Sequence, residues 1–141
     1  MDDLTWAHAE AIVRRAIEAG DELGIAVSVA VLDAGRELAA FGRREGAMLV
    51  SIQLAIGKAY TACSMRRPSE ALRERTWSGG DLYGLELAHD PPLVALGGGV
   101  PLWRDGRCVG AVGISGGTTD QDHAIATQVA DEFTNQASEE S

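Results

Sequence analysis

Aromatic side chains are scarce in this chain. They make up 5% of its 141 residues, so the interior has to be filled by Val, Ile, Leu and Ala. Basic residues are few as well. Twelve Lys and Arg stand against 21 Asp and Glu, a formal net charge of −9, which repels phosphate backbones and argues against nucleic acid as a partner. The nearest thing to a basic patch is Arg66–Arg67 with Arg73 and Arg75. Glu70 and Glu74 interrupt it, and it reads as a solvated helix surface. Cysteine occurs twice, at Cys63 and Cys108. That is no staple framework, and a reduced thiol pair is the expectation. The opening Met1-Asp2-Asp3 has no basic or apolar leader character, so no secretory signal is predicted and a cytoplasmic location is. Long apolar runs are missing too. The stretch Gly46 to Met65 has Lys58 as its only charge, yet Ala, Gly, Ser, Thr and Gln interrupt it too often for a membrane span. A deeply buried helix of a soluble domain explains it better.

What is plentiful is glycine, with 17 residues, well above the usual share of roughly 7%. Hydrophobic residues reach 45%, enough for one compact core, and the length suits a single domain over residues 1–141. Trp6, Ala9, Ile12, Val13, Ala16, Ile17 and Leu23 recur at three- and four-residue steps, predicting an amphipathic helix over 5–23 with Thr5 as N-cap. Residues 25–32, IAVSVAVL, read as a strand covered on both faces, and the turn Asp33-Ala34-Gly35-Arg36 returns it as a second strand over 37–42. The buried helix is predicted over 47–64, with a shorter one opening near Pro68. Residues 77–92 are irregular. Leu93–Leu96 is an extended run, broken by Gly97-Gly98-Gly99 and continued by Val100–Trp103. Asp105-Gly106 marks a hairpin into a last strand over 108–115. A C-terminal helix follows, capped by Thr118, Thr119 or Asp120 and running to about Gln136. The ordered core is predicted over about 4–135, with a frayed tail at 138–141. Two hairpins separated by helices indicate an α+β domain with an antiparallel sheet.

Lys58 is the most informative single residue. An ammonium on a helix that is apolar almost all round must snorkel outward, pair with a carboxylate such as Asp33, or face a polar cavity. Ser51 and Thr61 share its helix face by spacing. Buried, it could also serve as a base or imine-forming amine. The turns at Gly97–Gly99 and Gly116-Gly117 allow close backbone approach, and the second lies at a strand-to-helix junction able to receive an anion. Asp120 and Asp122 are equally able to satisfy that helix end themselves. His8, His89 and His123 have no mutual metal-ligand spacing, and no nucleophilic triad or zinc pattern is present.

The segments VSVAVLDAGRELAAFGRREGA, IGKAYTA and GGGVPLWRDGRCVGAVGISGGTTDQDHAIA together resemble the GlcG/HbpS family, and DLYGLELAHDPPLVALGGGVP resembles the C-terminal domain of PduO-type proteins. The likeness runs from about residue 4 to 135. It implies a five-stranded antiparallel sheet flanked by helices in profilin-like α/β/α layers, assembly into homo-oligomers, and haem as a ligand of some members. It places Lys58 at the family's KA position, Arg43 and Gly46 in an arginine–acid–glycine turn, and Gly97–Gly99 and Gly116-Gly117 in its glycine turns. The adenosyltransferase activity linked to full-length PduO belongs to a different domain.

Three readings follow. In the first, haem or a related tetrapyrrole lies in an apolar cleft, its propionates paired with Lys58, Arg43 or a glycine-turn amide. Its iron would take His89, His8 or His123, with Met65, Tyr83 and the cysteines as further ligands. Ser51, Thr61 and Tyr83 would line the same pocket. In the second, a cofactor-independent enzyme acts on a small carbonyl or hydroxy-acid metabolite, with Lys58 as base or carboxylate anchor and Asp33 or Asp122 as proton partner. In the third, the chain is an oligomeric accessory protein.

Overall fold

The computed structural model describes residues 4–140, with side chains to residue 136. Met1–Asp3, on which the absence of a leader was read, lie outside it. Three α-helices and four strands follow in the order α1 (Trp6–Glu22), β1 (Ser28–Asp33), β2 (Leu38–Arg43), α2 (Val50–Met65), β3 (Gly99–Arg104), β4 (Arg107–Ser115) and α3 (Thr119–Glu140). Short 3-10 turns occupy Ser69–Leu72 and Leu85–Ala88. Thus the helix expected near Pro68 is a single tight turn.

The sheet is antiparallel throughout, in the order β2-β1-β4-β3. Among the described residues it has four strands, not the five expected. Leu93–Leu96 stays out of the sheet because α2 and the turn after it take up its backbone groups: the Val94 N–H donates to Thr61 Oγ1, and the Leu96 carbonyl accepts from Ser69 Oγ.

Alternation along the strands sorts side chains into two cores. Val29 and Val31 of β1, Val112 and Ile114 of β4, and Val100 and Leu102 of β3 join Ala9, Ile12, Val13 and Ala16 of α1 and Ile125, Val129 and Phe133 of α3. On the opposite face Leu32 and Ala111 pack with Ala59, Ala62 and Cys63 of α2. Helices α1 and α3 therefore cover one face and α2 the other, the α/β/α layering that the family resemblance implies.

Local chemistry sets the ends of these elements. Thr5 accepts the His8 N–H at 3.1 Å while His8 Nδ1 accepts the Thr5 N–H at 3.4 Å, a reciprocal cap on α1. The second hairpin turns at Asp105 (φ 51°) and Gly106 (φ 76°), the paired positive dihedrals that suit a two-residue loop. At α3 the cap is Thr118, whose Oγ1 accepts the Gln121 N–H as Gln121 Oε1 accepts the Thr118 N–H. This helix runs past Gln136 to Glu140; Ser141, the end of the expected frayed tail, lies outside the described residues.

Candidate functional site

The buried amine sits where three elements converge. Lys58, in the middle of α2, is 1% exposed. Its Nζ donates to Asp122 Oδ2 of α3 at 3.0 Å and to the Ile114 carbonyl of β4 at 3.0 Å. Asp122 is 2% exposed, and its other oxygen accepts the Gly117 N–H at 2.9 Å. Burial pushes the ammonium below its ordinary range, and the nearby Asp122 charge opposes that shift. Of Asp33 and Asp122, the two acids that the sequence offered as partners, it is Asp122 that pairs with Lys58. Asp33 Oδ1 accepts the Gly35 and Glu37 N–H groups and shapes its own hairpin. A carbonyl substrate could reach Lys58 only by displacing Asp122 and a strand carbonyl, so the geometry is that of an internal tie.

The glycine turns wrap this tie. A Cβ at Gly98 (φ 134°) would strike the Ile114 carbonyl and come within 2.8 Å of Lys58 Cδ, and one at Gly97 would lie 2.8 Å from the Thr119 carbonyl. At Gly99 it would meet the Lys58 backbone, and at Gly116 the Ala26 carbonyl. Gly117 is confined by Ile25, Gln121 and Asp122. The close approach that these glycines permit is made to the protein's own helices and strands. Ser51 and Thr61 are likewise engaged internally, Ser51 with Ser28 across to β1 at 2.7 Å and Thr61 with Val94 and the Gly57 carbonyl. Arg43 ends β2 exposed, and Tyr83 is 72% exposed in the irregular segment.

Open space lies elsewhere. A cleft of about 480 Å³ separates β3 from α3 and the segment after α2. Val100, Pro101, Trp103 and Ala130 give it apolar walls, and Arg66, Arg67 and His123 bring cationic or coordinating groups to it. The reading of Arg66–Arg67 as plain helix surface is corrected here. Arg66 takes a left-handed conformation (φ 56°) that ends α2, and this turns the pair onto the cleft. Sequence reasoning missed the pair as site residues, and the signal for it was local: two arginines and a proline directly after an apolar helix.

Of the three histidines, only His123 lines this cleft. Its Nε2 lies 3.1 Å from Glu70 Oε2, whereas its Nδ1 is buried without a hydrogen-bond partner. His8 is taken up by the α1 cap and stands edge-on to Phe133. His89 sits in the irregular segment, with Nδ1 3.0 Å from the Pro91 carbonyl and its ring edge-on to Tyr60. Met65 is the last residue of α2 and does not line the cleft beside α3. Among the described residues no group of three or more His, Cys, Asp or Glu is placed to hold a metal ion, and no helix is long and apolar enough to cross a membrane.

A three-layer domain locked by an internal lysine–aspartate tie, with a half-open apolar cleft beside its third helix, is the class of protein that this geometry defines. The family model described as "Haem degrading protein HbpS-like" matches residues 4–131, and the chain belongs to that family. The chain is 38% identical over 123 residues to the corrinoid adenosyltransferase PduO of Salmonella typhimurium, a match covering 87% of this chain but 37% of that protein. Among solved structures, protein ORFY of Klebsiella pneumoniae superposes with a TM-score of 0.88 at 31% identity, covering 92% of this chain and 90% of the other. A PduOC:heme complex superposes with a TM-score of 0.86 at 38% identity, covering 94% and 95%.

Proposed function

We propose that the protein binds haem or a closely related tetrapyrrole in the cleft between β3 and α3. The observation that carries this is the donor set gathered there: apolar walls at Val100, Pro101 and Trp103, two exposed guanidinium groups at the rim, and one histidine. A flat macrocycle with an apolar body and anionic side chains needs that division of surfaces. Arg66 and Arg67 offer forked donors to propionates, which a lysine would meet only as a point charge. His123 can offer the iron its Nε2 once Glu70 gives it up; Nδ1 is closed in by the fold. Haem held this way supplies an iron centre able to bind small molecules and exchange electrons. The heme complex of the PduO domain supports the ligand class. Lys58 enters the reading as the strut that holds α3, and with it His123, against the sheet.

The test is a haem titration followed by the Soret band. His123→Ala should abolish the shifted band, while His8→Ala and His89→Ala keep it. Arg66→Ala and Arg67→Ala should each weaken binding about ten-fold, the ~1.5 kcal/mol of a charge-assisted bond. An unchanged Soret band in His123→Ala would remove the cleft from consideration, and an unchanged affinity in both arginine variants would remove the propionate assignment.

A further inference from the structure

Cys63 and Cys108 stand 45 positions apart in sequence and side by side in the fold. Cys63 belongs to the last turn of α2 and Cys108 to the start of β4. The Cys63 thiol points to the Asp33 carbonyl at 3.5 Å and the Cys108 thiol to the Gly110 carbonyl at 3.3 Å. Asp33 and Gly110 are direct partners across the β1–β4 ladder, so the two sulfurs rest on neighbouring points of the sheet. Both also line one small cleft of about 180 Å³, with Ala34, Arg36, Ser64 and Arg66. Both thiols are free.

We propose that Cys63 and Cys108 form a peroxide-oxidised, dithiol-reversible disulfide that ties the end of α2 to the start of β4. The two thiols are unequal, which sets the order of events. Cys63 is buried, and that burial, with the adjacent Cys108 sulfur, pushes its thiol up to about 11. Cys108 is half-buried and opens onto the cleft. The Cys108 thiolate therefore attacks the peroxide: a sulfur–oxygen bond forms, the oxygen–oxygen bond breaks, and water leaves once the departing oxygen gains a proton. Cys63 then attacks the sulfenic sulfur, giving up its proton as the sulfur–oxygen bond breaks and a second water departs. Two thiols lose two electrons and two protons in total, and one hydrogen peroxide becomes two waters. A dithiol reductant reverses the change by exchange. Arg66 lines both this cleft and the larger one, so the tie would pin the backbone from which that arginine projects.

The test uses the whole, ligand-free chain and so stands apart from the haem reading. After hydrogen peroxide treatment, peptide mapping without reduction should find Cys63 and Cys108 in one cross-linked pair within a monomer, and dithiothreitol should release it. Cys63→Ser should leave a sulfenic acid on Cys108 that dimedone labels, whereas Cys108→Ser should give no dimedone adduct at Cys63. Amide exchange at residues 62–68 should slow in the oxidised form. Two alkylatable thiols surviving peroxide, or a disulfide formed only between chains, would overturn the proposal. Dimedone labelling of Cys63 in Cys108→Ser would overturn the order of attack.

Discussion

A single ammonium determines how three elements of this domain meet. Lys58 and Asp122 are both out of water, and the two backbone groups in contact with them, the Ile114 carbonyl that accepts from Lys58 and the Gly117 N–H that donates to Asp122, belong to β4 and the turn after it. Such a pair contributes little net stability when complete, because desolvation offsets most of the attraction. Breaking it is a different matter. Lys58→Met leaves Asp122 buried without its cation and should cost about 3–5 kcal/mol, read as a lower urea midpoint. Lys58→Met combined with Asp122→Asn keeps the acceptor for Gly117 and removes the stranded charge, so it should recover most of that loss. Equal midpoints for the single variant and the parent would show that the pair carries no structural role.

At the scale of elements, the closest joint is that between α2 and β4. A Cβ at Gly113 would run into the Ala55 carbonyl and lie 2.7 Å from the Ala59 N, so helix backbone rests directly on strand backbone. Ala55, Ala59 and Ala62 continue the joint on the helix side, all with no exposed surface. Gly113→Ala should therefore force α2 away from the sheet and cost at least about 1–3 kcal/mol, as overpacked interiors do. Because α2 also carries Lys58, the same substitution should raise amide exchange at the start of α3. The control is Gly46→Ala, where a Cβ would meet nothing within 4 Å and only the positive φ of 93° resists; its cost should be smaller.

For the molecule as a whole, charge and exposed apolar surface divide the exterior. The chain carries a formal net charge of −9, yet Met48, Leu49 and Val50 stand together at the start of α2, 70%, 74% and 55% exposed. Three consecutive large apolar side chains in water are costly to leave uncovered. The self-association expected from the sequence would place a second copy there. Leu49→Asp should then lower the sedimentation coefficient while leaving the circular dichroism spectrum and haem titration unchanged. An unaltered sedimentation coefficient would remove this patch as a contact between copies.

The amino-acid sequence by itself determined most of the element order, because periodicity, capping and turn chemistry act over a few residues. Thr5, Asp33 and Asp105-Gly106 do locally what their types predict. The family was legible as well, since its motifs run nearly the length of the chain. Lys58 could be picked out as special because a lone charge on an apolar helix has few ways to be satisfied. Which way it was satisfied was a tertiary matter. Its partner lies 64 residues away, and no local spacing tells Asp122 from Asp33. Tertiary contacts also kept Leu93–Leu96 out of the sheet, turned Arg66 and Arg67 onto a cleft, and set two distant thiols side by side. Each of these joins residues far apart in the chain on or beside α2, and α2 can lie this close to β4 because no side chain stands between them at Gly113.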